Sequence, residues 1–136
     1  MRFLGIDYGE KNIGLATGEG ETKISLARAP LIRQNDTQLI TDLQRLIIDE
    51  EITDVVVGWP LSLRGTSETA ARRARSFADQ LAAAAKIPVH LADERLSTQA
   101  AQRLQRQNPQ ASIDSLSAQV ILQSYFDSLE DDSQPE

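Results

Sequence analysis

A chain of 136 residues, 40% hydrophobic and 25% charged, is of one-domain size with ordinary globular usage, which excludes wholesale disorder. It contains no cysteine, which excludes a disulfide scaffold, a Cys-based zinc site and a Cys nucleophile, and fits a reducing compartment. The net charge of −6 argues at first against a polyanionic partner, but five acids fall after Phe126, and Pro60 to Arg106 carries eight bases against four acids.

Met1-Arg2-Phe3-Leu4-Gly5-Ile6-Asp7 places a charge where a signal-peptide core would sit, and no apolar run reaches membrane length. The expectation is a cytoplasmic protein without a membrane partner. Arg2–Asp7 reads as a first strand ending in a turn, Ile13–Thr17 as a second and Ser25–Ile32 as a third. Their links are too short for crossover helices, so they form an antiparallel meander. Asn35 or Asp36 caps a helix running to about Glu51, with Leu39, Leu43, Leu46 and Ile47 on one face. Asp54–Gly58 holds the continuous apolar run of a buried strand. A second helix starts near Ser67, Val89–Ala92 is a fifth strand, and Thr98–Gln107 is helical until Asn108-Pro109. Ser112 opens a last helix with Ile113, Leu116, Val120, Ile121 and Tyr125 inward. The pattern predicts an α/β fold: a five-stranded mixed sheet, antiparallel meander plus parallel strands, with helices on its faces. Residues 1–129 form a single domain, and 130–136 an acidic, disordered tail.

Asp7 closes the first strand just before a glycine-bearing turn, where a metal or phosphate can approach the backbone, and Lys11 can neutralise a phosphate. A turn cap explains the same residues. Arg64 follows the fourth strand, and Arg72, Arg73 and Arg75 lie along the outward side of the next helix, where they can contact a nucleic-acid backbone. A solvated charged face accounts for them equally well. Trp59 fits the core better than a base-stacking platform. Asp93-Glu94-Arg95-Leu96-Ser97-Thr98 puts two acids at a strand end, which is costly unless they meet something positive. Alternation allows only one of them to face a given site, and Glu94 is preferred, with Asp93 behind it or paired with Arg95. A helix cap with a surface ion pair is the alternative. Asp114 lies in the first turn of the last helix, where a negative charge is favourable anyway. His90, the only histidine, has no partner ligand for zinc and reads as structural.

Taken in order, Ile6-Asp7-Tyr8-Gly9-x-Lys11-x-Ile13-Gly14, Val57-Gly58-x-Pro60-Leu61 with Gly65, Asp93 to Thr98, and Ile113-Asp114-Ser115 with Ile121-Leu122-Gln123-Ser124-Tyr125 resemble the YqgF family. That family, also called RuvX, comprises proteins described as Holliday-junction resolvases and as nucleases maturing the 5′ end of pre-16S ribosomal RNA. The resemblance spans about Arg2 to Leu129 and implies an RNase H-like fold with metal-binding acids at Asp7, Glu94 and Asp114. Three departures stand out. Ser97 replaces a threonine, Leu63-Arg64 replaces Met-Asp, and Gln110-Ala111-Ser112 replaces basic residues before the last motif.

The expected activity is a Mg²⁺- or Mn²⁺-dependent endonuclease for structured nucleic acid, with pre-rRNA favoured over branched DNA. Clustered carboxylates suit hard divalent cations, and two such ions roughly 4 Å apart would activate water and stabilise the leaving oxygen. Asp7 would bridge the ions, Glu94 and Asp114 would hold one each, and Lys11 and Arg95 would orient the scissile phosphate. A Holliday-junction resolvase, a non-catalytic RNA-binding ribosome-assembly factor and an ATP phosphotransferase are the rival readings. The last would need a second domain that 136 residues do not supply. The chain is expected to be a monomer or a weak homodimer.

Overall fold

Strand β1 (Arg2–Asp7) is followed at once by β2 (Asn12–Glu19) and β3 (Ile24–Ile32), each antiparallel to its predecessor. A computed structural model describes residues 1–59, 68–93 and 97–133. Helix α1 (Asp36–Asp49) returns the chain to β4 (Asp54–Trp59), parallel to β1, and α2 (Glu68–Ala85) returns it to β5 (Val89–Asp93), parallel to β4. Helices α3 (Ser97–Gln107) and α4 (Ile113–Ser133) complete the described chain. The sheet order is β3-β2-β1-β4-β5, which places the first strand at the centre between the antiparallel meander and the parallel strands.

The two faces of the sheet are covered separately because side chains alternate along each strand. Leu4, Ile6, Ile13, Leu15, Val55 and Val57 pack with α1 and α2, where Leu39, Leu43, Phe77 and Leu81 are buried. Phe3, Ala16 and Val56 pack with Ala118, Ile121, Leu122 and Phe126 of α4, and α3 lies against α4. Asn35 caps α1 by accepting the Gln38 amide at 2.8 Å.

Helix α4 departs from the expected pattern. Leu116 and Ile121 are buried as anticipated, but Ile113, Val120 and Tyr125 are only half-buried, while Leu122 and Phe126 are fully enclosed. The helix is held between the sheet and α3, so its apolar residues surround it and one stripe does not define its inner face. It also continues past Leu129 to Ser133, since no proline or glycine interrupts it before Pro135.

Candidate functional site

Asp7 ends β1 and pairs across the hairpin with Gly14. The parallel register matches Ile6 with Val57 and Gly58 with Ala92, so β1, β4 and β5 finish at one edge. This is where parallel α/β sheets present ligand-binding groups. Leu4 and Ile6 belong to the α1–α2 core, so Asp7 stands on the other face with Phe3, the face that α4 covers.

Helix α4 comes unusually close to that face. A Cβ on Gly14 would lie 1.9 Å from the Asp114 carbonyl oxygen, and one on Gly5 would lie 2.9 Å from the Leu122 Cβ. Only glycine allows the first turn of α4 to rest on the strand paired with Asp7. Ser112 caps the helix by accepting the Ser115 amide at 3.3 Å, and the Ser115 hydroxyl accepts the Leu15 amide at 3.3 Å. The backbone of Asp114 is therefore fixed opposite Asp7.

On β5, Val89 and Leu91 pack into the α1–α2 core and Ala92 into the α4 side. Alternation puts Asp93 on the face opposite Asp7. Glu94, Arg95 and Arg64 lie outside the described residues.

At the same end of β1 but on the α1–α2 face, the turn between β1 and β2 borders a pocket of about 450 Å³ lined by Tyr8, Glu10, Lys11, Arg33 and Arg73. Tyr8 stacks on Phe77 with ring centres 4.5 Å apart, and its hydroxyl donates to Asp36 Oδ1 at 2.7 Å. The same oxygen accepts from Arg33 Nε at 2.7 Å, and the guanidinium lies 5.8 Å from the Tyr8 ring centre. Burial, then the bond to Asp36, raises the Tyr8 pKa, and the bond to Asp36 raises that of Arg33. Both groups thus stay protonated and donate. The sequence reading missed Arg33. The signal for it is the hairpin register: Asn12 pairs with Ile32, and the Arg33 amide donates to the Lys11 carbonyl at 2.6 Å.

The three arginines of α2 do not share a face. Arg73 reaches Glu10 at 3.0 Å, whereas Arg72 and Arg75 pair within the helix with Glu68 and Asp79 and line a groove beside Trp59. Trp59 is half-buried and donates to the Ala71 carbonyl at 3.2 Å. His90 of β5 bonds to the buried Asp54 at 3.2 Å and stacks on Tyr125, and the register sets it level with Gly5 of β1, two residues before Asp7. Among the described residues, no three His, Asp or Glu gather closely enough to hold a metal ion, and no helix is long and apolar enough to cross a membrane. The donor set at the Asp7 corner is carboxylate oxygen, which fits a hard divalent cation.

A family model described as RuvX, Holliday junction resolvase, matches residues 1–128. A protein of Anaeromyxobacter sp. (strain K), named "Putative pre-16S rRNA nuclease", is 38% identical over 133 residues, covering 93% of this chain and 97% of that protein. A protein of the same name from Maridesulfovibrio salexigens is 32% identical, covering 93% of this chain and 98% of that one. Among solved structures, Thermus thermophilus RuvC bound to a Holliday junction superposes with a TM-score of 0.66 at 16% identity, over 96% of each chain. The fowlpox virus Holliday junction resolvase superposes with a TM-score of 0.57 at 13% identity, over 95% of this chain and 99% of that one. These likenesses establish an RNase H-like fold.

Proposed function

This chain belongs to the RuvX family of nucleases, and we propose that it is a divalent-metal-dependent endonuclease whose substrate is the 5′ leader of pre-16S rRNA. The observation that carries this reading is the close seating of the Asp114 backbone on Gly14, the partner of Asp7, at the edge where three parallel strands end. The backbone of Asp114 lies against the partner of Asp7 there, at the sheet end that also carries a cationic pocket.

In this reading Asp7 and Asp114 hold Mg²⁺ or Mn²⁺, and Glu94, the acid next along from Asp93, completes the set. Bound metal supplies activation of the attacking water and stabilisation of the leaving oxygen. Lys11 and Arg73 neutralise the strand as it enters, Arg95 and Arg64 act nearer the scissile bond, and Arg72 and Arg75 meet more distant phosphates. Residues 1–129 make up the catalytic unit, and the acidic end beyond them repels the polyanion.

The test is incubation of the purified protein with a pre-16S leader RNA and with a four-way DNA junction, each in Mn²⁺ and in EDTA. The expected outcome is cleavage of the leader RNA in Mn²⁺ only, abolished in Asp7→Asn. Cleavage of the junction alone would move the substrate to branched DNA, which the likeness to RuvC supports. Binding without cleavage of either would favour a ribosome-assembly factor, a reading supported by the net charge of −6.

A further inference from the structure

The pocket at the end of β1 gathers cations from three separate elements. Lys11 comes from the β1–β2 turn, Arg33 from the end of β3 and Arg73 from α2. In a chain of net charge −6, these three bases outnumber the two carboxylates they meet, Glu10 and Asp36, and leave a local positive excess.

The two arginines are held in different ways. Arg33 is pinned: Nε bonds Asp36, Nη1 bonds the Glu10 carbonyl at 3.3 Å, and the guanidinium lies near the Tyr8 ring, which itself rests on Phe77. Its side chain is 27% exposed and that of Asp36 is 25% exposed, so this arrangement is half-buried and pre-formed. Arg73 instead pairs with Glu10, and these side chains are 55% and 83% exposed. An ion pair so exposed contributes little and exchanges readily for a better anion.

We propose that this pocket seats one backbone phosphate of the substrate strand, flanking the scissile bond. Arg33 is its positioning residue, and Glu10 is the anion that engages Arg73 until the strand arrives. The inference rests on the nuclease reading and adds to it a phosphate subsite. Tyr8 packs on the α1–α2 face while Asp7 stands on the α4 face, so the pocket and Asp7 share the end of β1 from its two sides, and a strand crossing that end would pass both. A planar guanidinium oriented by a fixed carboxylate suits a phosphate geometrically, and Lys11 adds a mobile point charge.

The test uses the full chain and two labelled probes, a pre-16S leader RNA and a four-way DNA junction. Binding is titrated in EDTA across a potassium chloride series, with Mn²⁺-dependent cleavage of the same probes run in parallel. Arg33→Gln and Lys11→Gln should each weaken binding of the better probe about tenfold and reduce the salt slope by about one. Glu10→Gln should do the reverse and tighten binding at low salt. In cleavage, the first two variants should raise KM by a larger factor than they lower kcat. The Lys11 side chain is exposed, so Lys11→Gln decides if Arg33→Gln fails to fold.

Parental affinity and slope in the Lys11 and Arg33 variants, or a loss confined to kcat, overturns the phosphate seat. If the parent still cleaves in that case, the nuclease reading stands without it. Weaker binding by Glu10→Gln overturns the role given to Glu10. A parent that neither binds nor cleaves either probe removes the nuclease reading, and the seat with it.

Discussion

A methyl group added at Gly14 would meet the Asp114 carbonyl oxygen at 1.9 Å, a backbone atom that cannot rotate away. Gly14→Ala must therefore lift the first turn of α4 from the sheet. Overpacking of this kind costs about 1–3 kcal/mol. The bonds from the Leu15 amide to Ser115 and from the Ser115 amide to Ser112 are strained in the same movement. Asp114 moves with that turn, so cleavage per folded molecule should fall as well as stability. Gly5→Ala supplies the control, because its clash is with the Leu122 Cβ at 2.9 Å, two turns further along α4 from Asp114. Urea midpoints and cleavage rates of the two variants separate packing from positioning. Equal activity per folded molecule in both would mean that Gly14 serves packing alone.

Helix α1 ends with a residue in the left-handed region that is not glycine: Glu51 has φ of 56°. The Ile52 amide reaches the Ile47 carbonyl at 2.9 Å, and the Glu51 amide reaches that of Ile48 at 3.3 Å, the paired bonds of a Schellman ending. A side chain in this conformation costs about 1–2 kcal/mol, partly offset by the greater unfolded-state freedom of glycine. Glu51→Gly should therefore raise stability by about 0.5–1 kcal/mol, read as a higher denaturation midpoint with an unchanged slope. A lower midpoint would show that the Glu51 side chain contributes more than its strain. The same elements show what could be read from sequence. β1 and β4 were legible because continuous apolar runs beside turn residues have few other solutions. The order of elements followed from the lengths of the links. Of the buried set of α4, Leu116 and Ile121 were legible but Leu122 and Phe126 were not, because enclosure between a sheet and α3 removes the one-sided pattern that periodicity detects. Asp7 and Asp114 were visible as acids at element ends. The gathering of Arg33 with Lys11 and Arg73 was not, since it depends on hairpin register and on α2 bringing Arg73 across to Glu10.

Over the whole molecule, the charge of −6 conceals an uneven distribution. Lys11, Arg33 and Arg73 stand together near the β1–β2 turn, while Arg72 and Arg75 are engaged within α2. An acidic protein that holds metal through converging carboxylates gains stability when the cation binds, because binding to the folded state alone shifts the unfolding equilibrium. At a hundredfold excess over the dissociation constant the gain is on the order of 2–3 kcal/mol. If Asp7 is one of the metal donors, as proposed, Asp7→Asn should lose most of that gain, whatever its stability without metal. If Asp7 only capped the turn, the substitution would cost about 1 kcal/mol with or without metal. Four melting curves distinguish these cases: parent and variant, each in EDTA and in Mn²⁺. The expected pattern is a parent whose midpoint rises with Mn²⁺ and a variant whose midpoint barely moves. A parent indifferent to Mn²⁺, with a variant equally destabilised in both conditions, would remove Asp7 from the metal-binding set and leave the α4 contact as a packing feature.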